Sequence, residues 1–578
     1  MRFKKLILGL SIVIVTLMLL SIFGFTDEFS GMGCTAIIVG KNASENKLSV
    51  MNSTSADGWY NSNIKVISEP AYFEIGKKVP IYWNITGTYR PEKTLEDFSE
   101  EQYIKIGEIK IDSDHVAEIP NIVGNNYSYF RTGYSCMNEH QLMIGESTIC
   151  QKEELRVFPP GNPEDPEDWE DYNGPMMTIE QLQIFALQCT DNVQDAIELI
   201  GYLAERHGFL PSCYGMGECL TIADKEEAWV FEIFSVGVAW EPASGKPGAI
   251  WAAQRVPDDE LVCVPNISRI REIDLKKKSN NFMASENYMQ EAIDRGWYSG
   301  EPFIWQEAYT PLLGYWSLES EWVRNRLYVV YSTLAPTAKP WNPADNTQDY
   351  PFSIEPDSTS FPNGISVKDI IALQRSTMTG TVFDMEADPN WEGSPFATPF
   401  PDMDWRDLLK INFHRPIAMH NCSYAFVSQS REKTLVNGRL KKVPNSIGGV
   451  LWFCLDNPHM SVHVPIYAGV TEILPSWKTF DRDKFSQDSA RWAFALADDL
   501  VNRKYQDAIQ DLKAVRDPLQ NKFLNEQSII DGNALAKTNP VQVKEYLTNY
   551  TKSCMEEAEE AYWDLNWDLI QKYNNNKY

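Results

Sequence analysis

The stretch "GMGCTAIIVG", residues 31–40, decides how the chain is read. A run of β-formers, Thr35–Val39, follows Cys34 directly, so the cysteine stands at the entrance to a strand. Upstream, "MRFKK" is a basic start, and residues 6–25, "LILGLSIVIVTLMLLSIFGF", carry no charge. That length is long for a signal-peptide core and just enough to span a bilayer. Gly31 and Gly33 sit at −3 and −1 relative to Cys34, the small residues a signal peptidase prefers. The expectation is an exported chain (secreted, extracytoplasmic or luminal) cut between Gly33 and Cys34. Retention of the leader as a signal-anchor is the alternative, and it is the only membrane contact expected. On this stretch alone Cys34 has three readings: a buried thiol, a lipid anchor, or a nucleophile that heads the mature chain.

Composition narrows the class. The 578 residues are 43% apolar and 12% aromatic, which is the make-up of a folded chain with a large core. Asp and Glu number 80 against 52 Lys and Arg, a net charge of −28. Such a surface repels phosphate backbones, so nucleic acid is not expected as a partner. Seven scattered histidines and the absence of CxxC give no zinc signature and no evident Cys–His pair. GxSxG, HExxH and the phosphate-binding loop are likewise missing. Export permits disulfides among the ten cysteines, but spacing does not assign pairs.

Patterning then gives the order of elements. "CTAIIVG" and "KLSVMNST" read as two strands around the polar turn "KNASEN", and "KVISEPAYFEI" and "YIKIGEIKI" alternate similarly. "SCMNEHQLMIGEST" (135–148) reads as strand, turn at Asn138–Glu139, strand. A helix begins at Thr178 with Gln181 three residues on, and a second, in "NVQDAIELIGYLAERHG", stops at Gly208. "CLTIADKEEAWVFEIF" is a hairpin, and 249–270 reads as another strand pair. "SVKDIIALQRSTMTG" is a capped amphipathic helix, strands return over 423–468, and the last quarter is helical. Strands, helices, then strands argue for an α+β layered fold rather than a βαβ repeat.

A cysteine nucleophile needs a base or a lowered pKa. At the head of a chain the residue supplies its own base, because the α-amine has a pKa of about 8 and reaches the thiol directly or through one water. Here the sequence resembles the family C69 dipeptidases, the dipeptidase A-like branch of the N-terminal nucleophile hydrolases. The resemblance rests on "CTAIIVGKNAS", "SVMNSTSADGWY", "GYSCMNEHQLMIGEST", "GECLTIADKEEAWVFEI", "IWAAQRVPDDELVCVPNISRI", "LAPTAKPWNP", "SYAFVSQSR" and "IGGVLWFCLDNPHMSVHVPIYAGVT", in order over roughly 34–520.

The resemblance implies a four-layer αββα sandwich with a helical C-terminal region. The expected organisation is a leader (1–33), a catalytic domain (34–480) and a helical region (481–578). It implies Cys34 as nucleophile, Asp57 facing it from an Asp–Gly pair, and Asn266 as an oxyanion donor. Thr54 stands where the family often has histidine, and Thr148 where bile-salt-hydrolase relatives usually have asparagine. Asn138, Glu146, Thr148 and Arg255 are the candidate substrate contacts, with Glu146 suited to an ammonium and Arg255 to a carboxylate. Asn266 lies in a glycosylation sequon, and its role requires that it stay unmodified.

The reaction expected is hydrolysis of small peptides, chiefly dipeptides, through a thioester on Cys34, with no cofactor and no metal. A homo-oligomer stays open. The alternatives are an acylase or bile-salt-hydrolase-like amidase on the same fold and, from another class, a lipid-anchored binding protein. The lipid anchor fits poorly, since Gly31 stands where a lipobox wants leucine.

Overall fold

The computed structural model describes residues 33–573 apart from 59–61, 69, 85–102, 159–171, 212, 214, 274, 276–279, 299, 301, 312–316, 318–319, 346–347 and 482–483. Residues 1–32 of the expected leader, including its apolar stretch 6–25, and part of the "ADGWY" motif lie outside the described residues. No helix among the described residues is long and apolar enough to cross a membrane.

The chain is α+β and built on two antiparallel sheets. The first has six strands, in spatial order Leu261–Val264, Thr35–Val39, Ser49–Asp57, Cys422–Arg431, Val450–Leu455 and Val464–Tyr467. The second has eight: Phe282–Ala284, Ile250–Val256, Ala228–Phe234, Gly217–Ala223, Met143–Ile149, Met137–Asn138, Tyr129–Arg131 and Lys65–Ile67. The strand Ser49–Asp57 is buried along its whole length, as a strand covered on both faces must be.

Register in the first sheet assembles the site. Ala36 pairs with Val264 on one side, and Thr35 with Ser55 on the other. Continued past the ladder, that register sets Cys34 opposite Asn266 and Gly33 opposite Asp57. Three residues far apart in sequence therefore meet at one end of one sheet.

The segment 249–270, expected as a strand pair, is not a hairpin. Ile250–Val256 lies in the second sheet, while Leu261–Val264 crosses to the first and pairs with Thr35–Val39. The turn at Pro257–Glu260 is thus a passage between sheets. That crossing carries Asn266 to the nucleophile's end.

The two sheets meet at an unusually close, polar contact. Cα atoms of Ser49–Asp57 and Met143–Ile149 approach within 8 Å, against about 10 Å for stacked sheets. Gly145 permits this, because a Cβ there would fall 2.5 Å from Thr221 Oγ1 and 2.7 Å from Thr54 Oγ1. Thr221 Oγ1 donates to Asn52 Oδ1 (2.7 Å), and Glu146 N donates to Thr54 Oγ1 (3.1 Å).

Helices pack on both sheets. Ile179–Cys189 is capped by Thr178, whose Oγ1 accepts from Gln181 N at 3.3 Å, and Val193–His207 ends at Gly208 with φ 76°. Val193–His207 packs on the second sheet. On the first sheet lie Val367–Gln374, with its Ser366–Asp369 capping box, and the C-terminal helices Ala490–Asn502, Tyr505–Leu535 and Pro540–Tyr573. One apolar cluster runs from Cys34 through both sheets to Leu569.

Candidate active site

Cys34 is wholly buried at the mouth of its strand. Its Sγ donates to Glu146 Oε2 at 3.5 Å, and the backbone N–H of Asp57 points at the sulfur. Burial pushes the thiol well above its usual pKa, and the carboxylates of Glu146 and Asp57 push the same way. With Gly33 attached, Cys34 is therefore a protonated thiol.

The peptide units on the two sides of Cys34 are each held by a buried arginine. Arg415 Nη2 donates to the carbonyl of Gly33 (2.5 Å) and to Asp57 Oδ2. Arg326 Nη1 donates to the carbonyl of Cys34 (2.8 Å), to Thr35 Oγ1 (2.9 Å) and to Asn266 Oδ1 (3.0 Å). Neither arginine has any exposed surface. Gly33 sits at φ 129°, and a Cβ on it would lie 2.4 Å from Asn266 Oδ1. Only glycine fits there.

Asp57 closes its strand, where Cys422 pairs with it across the ladder. Burial pushes its carboxyl up to about 6, against the pull of Arg415 and Arg326. Oδ1 accepts no hydrogen bond. Asn266 is held at φ 62°, a left-handed geometry that asparagine tolerates. Its Nδ2 donates to Thr148 O at 2.9 Å and more weakly to Ser147 Oγ at 3.4 Å. The loop beyond it is pinned by Glu232, whose carboxylate accepts from Ser268 Oγ, Arg269 N, Ile270 N and Trp305 Nε1.

The candidate residues divide in two. Gly33, Cys34, Asp57, Glu146, Thr148 and Asn266 come together, with Thr148 Oγ1 donating to Glu146 Oε1 at 3.2 Å. Asn138 and Arg255 do not join them. Asn138 ties its hairpin to the end of a helix, donating to Leu187 O and Thr190 O and accepting from His140 N and Leu142 N. Its hydrogen-bonding capacity is filled. Arg255 lies three strands across the second sheet from the Glu146 strand and pairs with Glu227 and Asp258.

Three participants went unread in the sequence: Arg326, Arg415 and Glu218, which lies opposite Thr148 in the second sheet. Arg326 carried a signal, since it sits between Val323 and Val330 on the buried stripe of Glu321–Leu334. Glu218 carried one too, sharing a strand face with Leu220 and Ile222. Arg415, in the loop "FHRPIAM", carried none. None of the ten cysteines forms a disulfide, and no cluster of three or more metal-ligating side chains occurs among the described residues.

What the geometry defines is an α+β protein with a buried cysteine–carboxylate centre at one strand end. The family model for peptidase family C69 matches residues 33–517, and the chain belongs to that family. The chain is similar to dipeptidase A of Lactobacillus helveticus, 25% identical over 315 residues that make up 54% of each chain. It is also similar to a probable dipeptidase of Salmonella dublin, 24% identical over 302 residues, 52% of this chain and 57% of that one. The chain spans about half the length of the curated relatives it matches.

Proposed function

We propose that the protein is an exported cysteine dipeptidase whose working form begins at Cys34, on a four-layer αββα sandwich. Removal of residues 1–33 turns the nitrogen of Cys34 from an amide into an amine with a pKa of about 8. That amine accepts the thiol proton, and the sulfur attacks the substrate carbonyl. Asp57 Oδ1, which accepts no hydrogen bond in the uncut chain, is the partner for the resulting ammonium. The second amide hydrogen of Asn266, held only by its 3.4 Å contact to Ser147 Oγ, turns to the oxyanion. A single donor of this kind is worth about 3 kcal/mol. The ammonium protonates the leaving amine, and water then cleaves the thioester. The dipeptidases it resembles favour this substrate class.

One observation carries the reading: two arginines and two carboxylates, all buried, gather around Cys34 and the two peptide units that flank it. A cysteine that merely filled a core would need none of them, and buried charge is costly. The test is N-terminal sequencing of the active protein together with dipeptide assays of wild type and Cys34→Ser. The expected chain starts at Cys34, and the variant keeps its melting temperature while losing at least about 10³-fold in activity. A fully active variant, or an active form that retains residues 1–33, refutes it.

A further inference from the structure

Strand pairing sets Glu146 opposite Leu220 and Thr148 opposite Glu218, so Glu146, Thr148 and Glu218 share one face of the second sheet. Both acids are buried, Glu146 at 1% exposure and Glu218 at 0%. Glu146 accepts from Thr148 Oγ1 and from the nucleophile's sulfur. Glu218 differs. Among the described residues no N–H or hydroxyl donates to either of its oxygens. The groups that bear on it are acidic: Glu146, Cys213 and Glu180. Burial raises both carboxyls, Glu146 to about 7. No described lysine or arginine forms an ion pair with either. Two enclosed carboxyls without a cation either hold a proton between them or receive positive charge from outside.

We propose that Glu146 and Glu218 form the seat of the substrate's free α-ammonium, so that the enzyme removes the first residue of short peptides with an unblocked amino terminus and rejects N-acylated amides. This rests on the reading of Cys34 as nucleophile and names what its pocket selects. Reach supports it. An amino acid's nitrogen lies about 2.5 Å from its own carbonyl carbon, and an attacking atom stands about 3–3.5 Å from that carbon. The nitrogen is then within about 6 Å of the sulfur, and Glu146 Oε2 stands 3.5 Å from the same sulfur, so an ammonium lying on that side of it comes into hydrogen-bonding range of the carboxylate. An ammonium one residue further from the scissile carbonyl would lie about 3.5 Å beyond. The pair thus measures the cut to fall after residue one. On binding, the ammonium takes the place of the thiol hydrogen on Glu146, and the proton held between the carboxyls leaves to solvent.

The experiment compares kcat/KM for L-alanyl-L-alanine and N-acetyl-L-alanyl-L-alanine in the mature wild type and in Glu218→Gln. Wild type should prefer the free amine by at least about 100-fold, and the variant should lose at least about 30-fold on the free dipeptide, mainly through KM. The selectivity ratio falls accordingly. If the folded variant keeps the wild-type ratio, the proposal is overturned. Should the variant fail to fold, the wild-type ratio decides, and hydrolysis of both compounds within about threefold of each other overturns it while leaving the peptidase reading intact. Hydrolysis of neither by a protein that begins at Cys34 overturns both.

Discussion

The strands Ser49–Asp57 and Cys422–Arg431 carry a buried arginine–aspartate pair at each end. Register puts Asp57 beside Cys422 at one end and Arg431 beside Ser49 at the other, roughly 25–30 Å away. At the far end Asp531 is saturated: it accepts from Arg431 Nη1 (2.6 Å), Thr434 Oγ1 (2.6 Å) and Tyr467 OH (3.0 Å). Arg431 spends its remaining donors on Gly448 O and Ile447 O. At the near end Arg415 reaches one oxygen of Asp57, and the other has no partner. The same two side chains, equally buried, are closed into structure in one place and left with an open valence in the other. That difference marks a site, because a fold gains nothing from an unsatisfied buried oxygen.

The largest effect comes from neutralising each aspartate. Asp531→Asn should cost about 3–5 kcal/mol of stability, since it strands Arg431 in the core, and leave activity per folded molecule near wild type. Asp57→Asn should invert this, losing at least about 100-fold in kcat with a smaller loss of stability. The sign follows from the raised carboxyl. The folded value of about 6 lies above the ordinary 3.8, so ionised Asp57 opposes folding above pH 6, and that cost fades as pH falls toward 3.8. Denaturation at pH 7 and steady-state kinetics on both variants check it. Equal stability losses would erase the contrast.

This contrast also shows how much a sequence reveals. The strand entry at Cys34, the helix starts at Thr178 and Ser366 and the stop at Gly208 are local features, and the structure carries them where local chemistry puts them. The grouping of Cys34, Asp57 and Asn266 entered through likeness to a family, and the register accounts for it. What stayed hidden is long-range. Nothing local in "QRVPDDELVCVPN" says that its two strands belong to different sheets, and a hairpin has the same pattern. Arg415 reaches Gly33 across 382 positions. Asn138 and Arg255 resembled site residues because they are polar groups in family-like segments, yet hydrogen bonds and ion pairs elsewhere hold both.

A smaller effect sharpens the comparison within the site. Glu146 is raised by burial, eased by its contacts with Glu218, Cys34 and Thr148, to about 7 against an ordinary 4.5. Ionised Glu146 thus costs stability, fully above pH 7 and not at all below about 4.5. Glu146→Gln removes that cost. Its unfolding free energy relative to wild type should rise between pH 5 and pH 8, by an amount on the order of 1–3 kcal/mol. A difference that shrinks over this range would mean that a cation already neutralises Glu146 in the free protein, and the analogy with the open valence of Asp57 would fail.

The smallest effect belongs to the third arrangement of the same charges. Arg255 pairs with Glu227 at 3.0 Å and with Asp258 at 2.6 Å, its side chain 25% exposed. Water screens such pairs, so each is worth at most about 1 kcal/mol. Arg255→Ala should lower stability by no more than that, with kcat and KM for a dipeptide both within about twofold of wild type. Both numbers matter. A KM raised tenfold or more with kcat kept would mean that Arg255 meets the substrate's carboxylate after all. The second sheet would then bring its far strand to the pocket during turnover, and three strands of separation would no longer divide scaffold from site.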